Sequence, residues 1–453
     1  MTTPPTDPVS TGSDESLSRL PVGEVWVARV PHGQQARRTR FREWRTESLW
    51  FWPCLAIVAA WVLGEVLLGH GPGFVNRDHL VSTDIQSEQA VLSTVATAIL
   101  TFTGVVFSIS LVALQVASTQ YSPRLVRSFV RKPASKTALS VFLATFVYSV
   151  TVLAGIGTTL ANRRPPAAAV GVAYLLSLAS VVVFTFFVNS MVRSMRVSYV
   201  IEDLATETRR SLDRVVPRSD GIVDSARLRL VSDPVLIQFQ TRSRVLAGVD
   251  VAGLVTLAQR HDCVLRLRHR IGTYVVEGDP FLEVHGGRPP SWGEVARCLE
   301  LGAVRAFYQE ARYGFRQLVD IAIRALSPAV NDPTTAVQVI ERLQGLLNHI
   351  IDRPDPPSAY VDAAGDVRLI RVEPDWEQLV GLSFVEIIRY GADAPQVSRR
   401  LLAAFDDLEH RATRGRGAAL STLRTWLLRE VEQRGDDLEI VQLGREPDDL
   451  GLG

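Results

Sequence analysis

The sequence predicts a mainly α-helical membrane protein: four transmembrane helices followed by a cytoplasmic α+β region, made of a small β-barrel-like module and a C-terminal helical domain. Three observations carry this. Apolar residues crowd positions 49–192 while charge crowds both flanks. Four runs in that stretch reach the roughly 20 mostly apolar residues that a bilayer crossing takes. Beyond residue 230 the apolar period turns from helical to alternating, then back to helical. At 453 residues the chain exceeds what one hydrophobic core organises. The expected order is a disordered tail over 1–36, rich in Pro, Ser, Thr and acid; a four-helix membrane domain over 37–200; a connecting helix and linker over 201–230; a β-rich module over 231–288; a helical domain over 289–435; and a tail over 436–453.

The first span, residues 49–68, opens on Trp50 and Trp52, aromatic side chains suited to the headgroup level. It carries Glu65 near its far end, where a carboxylate can snorkel to the interface. The second, residues 89–118, lies in a stretch without formal charge between Glu88 and Arg124. At 1.5 Å per residue it is roughly 45 Å long, so it must tilt or protrude from the bilayer. The third and fourth spans, 137–161 and 167–192, are joined by the turn Asn-Arg-Arg-Pro-Pro over 162–166. Arg37, Arg38, Arg40, Arg42 and Arg45 precede the first span; Arg124, Arg127, Arg131, Lys132 and Lys136 lie between the second and third; Arg193 and Arg196 follow the fourth. The positive-inside rule then puts both termini in the cytoplasm, with Arg163 and Arg164 the two charges that dissent.

Along the second span Thr94, Thr97, Thr101, Gly104, Ser108, Gln115 and Ser118 fall on one helical face. Small and hydroxylated residues suit close packing between membrane helices; they equally suit an uncharged pore lining in an oligomer. Asn189 in the fourth span suits an interhelical hydrogen bond. After the second span, Tyr121, Leu125 and Phe129 fall four apart, with Arg124, Arg127, Arg131 and Lys132 placed to contact anionic lipid headgroups.

A helix through Ile201, Leu204, Thr208 and Leu212 should stop before Pro217. Short strands follow over 235–240, 244–249, 264–269 and 273–277, interrupted by a helix with Asp250 as its N-cap. Residues 272–284 resemble the hairpin of biotinyl and lipoyl carrier barrels. The only lysines in the chain, Lys132 and Lys136, lie far away, so a structural or docking module is expected and no attached cofactor. Helical signal resumes at Ser291, which forms a capping-box pattern with Glu294, and continues through Phe315, Leu318, Ile321, Ala322 and Ala325 to Ser327-Pro328. The next helix starts with Asp332 as N-cap and Pro333 at its first position. A surface loop is expected over 354–365, and helices over 374–391, 395–413 and 416–434.

Composition and motifs narrow the function. A net charge of +1 argues against a nucleic-acid partner. Cys54, Cys263 and Cys298 are odd in number and form no metal or disulfide spacing. His261, His269 and His285 read as residues on an exposed strand face rather than as metal ligands. The hydrolase elbow, zinc-protease, P-loop and dinucleotide fingerprints are all missing, so no catalytic residue is assigned and an enzyme is disfavoured.

The stretch from Arg316 to Ala336, RQLVDIAIRALSPAVNDPTTA, resembles the signature of the bacterial predicted membrane proteins grouped as domain of unknown function 2254. The segment 104–118, and 250–257 with the hairpin at Gly272, match that family's pattern too; Arg244-Val245 departs from it, where Gly-Tyr is expected. The resemblance spans roughly residues 45–435 and implies a bacterial inner-membrane location without an established activity. In the signature, Ser327, Asn331, Asp332, Thr334 and Thr335 gather at a helix N-terminus, where free backbone N–H groups can hold a small anion. Arg316, Asp320 and Arg324 line the preceding helix at a spacing of four. The alternative is a helix-turn-helix corner whose polar residues serve as caps. Two functions fit: a homo-oligomeric channel or transporter with a cytoplasmic regulatory or assembly domain, or a membrane-anchored ligand sensor or scaffold.

Overall fold

The computed structural model describes residues 25–29, 50–70, 85–120, 133–158, 167–216, 222–226, 233–303, 310–356, 358–412 and 415–433. The chain divides into two compact units. One, here the helical unit, comprises Arg38–Asp203 and Ser327–Gln338; the other, the mixed unit, comprises Met1–Arg37, Leu204–Leu326 and Val339–Gly453.

Four long helices build the helical unit: α1 (Phe51–His70), α2 (Ile85–Gln120), α3 (Pro133–Thr158) and α4 (Ala167–Ser194). All four are long and apolar enough to cross a membrane. The central helix is α3, which packs against each of the others. Tyr148, Val152 and Ile156 of α3 meet Ala60, Leu92, Ala169 and Ala173 at one level, and Ala138 and Phe142 meet Ile99, Val106, Phe187 and Met191 at another. Some of the buried polar groups find partners across helices. Tyr148 donates to the Ala169 carbonyl at 2.8 Å, and Thr145 and Ser180 share a hydrogen bond of 3.1 Å. Close approach of α1 to α3 needs small residues: a Cβ on Gly155 would lie 2.5 Å from Leu68 Cδ1. Asn189 is exposed rather than engaged between helices.

The outward faces are strongly apolar. Leu175 and Phe186 of α4 are 68% and 73% exposed, and Val58, Trp61, Leu100, Phe107 and Leu111 are exposed as well. So continuous an apolar surface is stable only where water is excluded, and helices satisfy their own backbone hydrogen bonds there.

Helix α5 (Val197–Val215) follows a break at Met195-Arg196, so the fourth span does not run straight on into it. Its buried positions Val200, Ile201, Leu204, Ala205, Thr208 and Leu212 keep a helical period. The mixed unit then adds β2 (Ile222–Ala226), β3 (Val235–Gln238), β4 (Arg244–Val249), α6 (Val251–Arg260), β5 (Val264–Leu267), β6 (Tyr274–Val275), β7 (Pro280–His285), α7 (Trp292–Ala296) and β8 (Leu299–Gly302). After these come α8 (Ala311–Ala325), α9 (Pro333–Ile350), β9 (Ala359–Val361), β10 (Val367–Ile370), α10 (Trp376–Gly391), α11 (Pro395–Arg411) and α12 (Gly417–Gln433). With β1 (Val25–Arg29), the strands form a mixed seven-stranded sheet in the order β2-β1-β9-β10-β5-β7-β3 and an antiparallel three-stranded sheet in the order β6-β4-β8. Side chains from both sheets and from α6 share one core, including Phe239, Leu246, Leu254, Leu265, Phe281 and Leu282.

Several expectations change here. Residues 25–29, within the expected disordered tail, form β1, whose backbone pairs with β2 and β9. The β-rich residues 231–288 do not close into a barrel among the described residues. Their strands divide between two sheets, and β1, β2, β8, β9 and β10 come from outside that stretch. The helical signal expected from Ser291 through Ala325 forms as two helices, α7 and α8; Leu299–Gly302 leaves it to pair with β4, a tertiary pairing that outweighs helical periodicity. The loop expected over 354–365 contains β9. Where the sequence offered caps, they form. Asp250 accepts Gly253 N at 3.0 Å, and Glu294 reaches back to Ser291 N at 2.9 Å.

Candidate functional site

Helix α2 is 36 residues long, about 54 Å, and places its polar stripe on the outside. Thr94, Thr97, Thr101, Gly104, Ser108 and Gln115 are all exposed on the protomer, while Leu92, Ala96, Ile99, Val106 and Ala113 on the opposite face are buried. The stripe therefore packs against none of α1, α3 or α4. The threonine hydroxyls donate to carbonyls one turn back, Thr94 to Ala90 at 2.7 Å, Thr97 to Ser93 at 2.9 Å and Thr101 to Thr97 at 3.0 Å. That pattern satisfies each donor within the helix and leaves oxygen lone pairs facing outward. A Cβ built on Gly104 would meet nothing within 4 Å, so the stripe has a notch at mid-helix. The side chain of Ser118, and the headgroup residues Arg124, Arg127, Arg131 and Lys132, lie outside the described residues.

The signature segment divides between the two units after Leu326. In the mixed unit, Arg316 donates from Nε to Asp320 at 2.7 Å and grips Glu386 of α10 with both terminal nitrogens, one at 2.9 Å. This fork ties α8 to α10 and raises the Arg316 pKa, chiefly through the hydrogen bond to Glu386. Nothing in the local sequence signalled Glu386, which lies 70 residues away. Replacing Arg316 with Met should cost about 1–2 kcal/mol, between the values of exposed and buried ion pairs, and a urea melt of the purified protein would read it. Arg324 lies on the same helix, half-buried.

In the helical unit, Ser327 O accepts from Val330 N and Asn331 N, and Asn331 takes a left-handed φ of 47°. Asn tolerates that conformation better than most residues. Asp332 Oδ1 accepts Thr335 N at 3.1 Å and its Oδ2 accepts the buried Thr335 hydroxyl at 2.6 Å. Both carboxylate oxygens are thus engaged in starting α9, while Thr334 is exposed. Gln338 accepts from Ser198 at 2.9 Å. Asp332→Ala should cost about 1 kcal/mol as a lost cap, seen as a lower urea midpoint.

Elsewhere in the mixed unit Asp213 of α5 faces His349 Nε2 at 2.7 Å and Arg353 Nη1 at 2.9 Å. Burial opposes ionisation of Asp213, but hydrogen bonds from His349 and Arg353, and their charges, outweigh it and hold its carboxyl below the ordinary 3.8. A group depressed on folding stabilises fully above its unfolded value and loses that contribution as pH falls through the folded one. The stability gap between wild type and Asp213→Asn should therefore shrink as pH falls below about 4, as urea midpoints between about pH 5 and pH 3 would show.

The three histidines of the strand region separate. His261 lies 3.6 Å from Glu294, and His269 stacks on Phe281. His285 is buried beside Glu283, against the expected exposed face, because β7 is covered on both faces.

The model of the family described as predicted membrane protein (DUF2254) matches residues 46–407. The uncharacterized proteins Mb1321c of Mycobacterium bovis and Rv1290c of Mycobacterium tuberculosis are each 30% identical over 330 residues, covering 69% of this chain. The match spans 62% of the length of these relatives. No solved structure matches the chain.

Proposed function

Because the chain belongs to the predicted membrane protein family DUF2254, we propose that it acts in the bacterial inner membrane as a homo-oligomeric channel or transporter. In this reading the α2 stripes of several copies face a shared axis, both termini are cytoplasmic, and the mixed unit regulates or assembles the pore. The supporting observation is the outward stripe of Thr94, Thr97, Thr101, Gly104, Ser108 and Gln115, on the face of α2 that the protomer leaves uncovered. Lipid gains nothing from a hydroxyl stripe, whereas neighbouring copies gain close packing and a permeant solute gains hydrogen-bonding oxygens.

The second reading, a membrane-anchored ligand sensor or scaffold, has its support in a polar cleft of the mixed unit. Flux separates the two. Purified protein in liposomes should pass a small ion or neutral solute, and Thr101→Leu or Ser108→Leu should cut that flux about tenfold or more by replacing oxygen-lined space with isobutyl groups. Flux that neither variant changes, or no flux of potassium, chloride or glycerol under any osmotic state, would reject the channel.

A further inference from the structure

A cleft of about 310 Å³ opens on the mixed unit between α5, α9 and the end of α11. Its floor is one face of α9 and the turn after it: Gly345, Asn348, His349 and Asp352, at the i, i+3, i+4, i+7 spacing that aligns residues along a helix. Arg209 from α5 and Arg411 from the last turn of α11 complete the wall. Neither arginine has an ion-pair partner among the described residues, and both are exposed. By contrast Arg353, one turn beyond His349, is neutralised by Asp213.

Gly345 lies on the exposed floor of the cleft. A glycine inside a helix costs roughly 1 kcal/mol relative to alanine, and it is tolerated where backbone must stay uncovered. Here an added Cβ would meet nothing within 4 Å. No neighbouring helix requires the missing side chain. Its absence keeps the cleft floor open, so that a ligand can approach between two cations.

We infer that the cleft bounded by Arg209, Gly345, Asn348, His349, Asp352 and Arg411 binds a small hydroxylated phosphate ester. The two guanidinium groups supply the forked donors that suit a phosphate dianion. Asn348 offers an amide, and Asp352 offers a carboxylate suited to the ester's hydroxyl groups rather than to a second phosphate. The volume falls at the lower end of small-molecule sites, enough for a short-chain ester. This inference is independent of the pore reading.

The test uses the full chain in phosphatidylcholine nanodiscs and isothermal titration with glycerol 3-phosphate and, as control, glycerol. Saturable binding of the phosphate ester is expected, with none for glycerol. Arg209→Gln together with Arg411→Gln should weaken it about tenfold or more, and Gly345→Leu should block it sterically with both arginines in place. A parallel series in phosphatidylglycerol nanodiscs identifies the source of the phosphate. Equal affinity in both bilayers assigns the cleft to a soluble ester. Competition in the anionic discs, present only while both arginines are intact, assigns it to a lipid headgroup. No saturable binding in either bilayer, or unchanged binding by the double variant, would overturn the proposal.

Discussion

Gly314→Val is expected to lower the melting temperature of the mixed unit by about 5–10 °C, from a cost of about 2–3 kcal/mol. Gly314 lies on α8 where it crosses α5, and a Cβ there would fall 1.9 Å from Thr208 Oγ1 and 2.8 Å from Thr208 Cβ. Thr208 cannot rotate out of the way without cost. It is fully buried, and its hydroxyl donates to the Leu204 carbonyl at 2.7 Å. The helices must therefore separate, opening contacts of Phe315 and Leu318, both fully buried. Thr208→Ala in the same chain should recover part of the loss, since it removes Oγ1 and Cγ2 and leaves only the Cβ at 2.8 Å; the coupling in that double-mutant cycle is the diagnostic quantity. Additive effects, or a valine variant as stable as wild type in a thermal melt, would show that the crossing is not as close as described.

Glu283→Leu is expected to cost about 3–5 kcal/mol. Glu283 on β7 is 7% exposed and accepts from Arg266 Nη1 at 3.0 Å and Arg268 Nη1 at 2.8 Å, both from the region of β5 that pairs with it. Removing the carboxylate leaves two guanidinium groups without their shared anion beside the apolar core built from Leu265, Phe281 and Leu282. The triple variant with Arg266→Met and Arg268→Met should regain most of that stability, because removing all the charges also removes the uncompensated ones. Urea melts of the three proteins decide it, and a Glu283→Leu unfolding free energy within about 0.5 kcal/mol of wild type would contradict the ion network.

The elements carried by local signals were legible in the sequence. The four apolar runs, the caps Asp250, Ser291 and Asp332, and Pro333 at the start of α9 each depend on a few neighbouring residues, and each appears where local chemistry puts it. What was not legible depends on distant pairing. β1 has only five residues and takes its place through backbone partners at 222–226 and 359–361. Nothing within a window of that length distinguishes it from tail. The same holds for β8, whose partner is β4, and for Arg416, whose guanidinium closes the end of α9 by donating to the Ile350 and Ile351 carbonyls. Among the site residues, the α2 stripe could be seen as a stripe. Periodicity says which residues share a face but not which way that face turns. The outward direction follows from Leu92, Ile99 and Val106 filling the space beside α3. In the cleft, Arg209 and Arg411 lie some two hundred residues apart in sequence, and no local pattern joins them.

The central claim, that the α2 stripes of neighbouring copies face one another, is tested most directly by cysteine cross-linking in native membranes. Cys54 is exposed and would be replaced by Ser, while Cys263 is buried and burial pushes the Cys298 thiol up to about 11, so neither competes at neutral pH. Single cysteines at Thr101 and Ser108 should then form disulfide-linked dimers on mild oxidation, and one at Leu178, on the exposed apolar face of α4, should not. Monomers at positions 101 and 108, with cross-linking no greater than at position 178, would contradict the account.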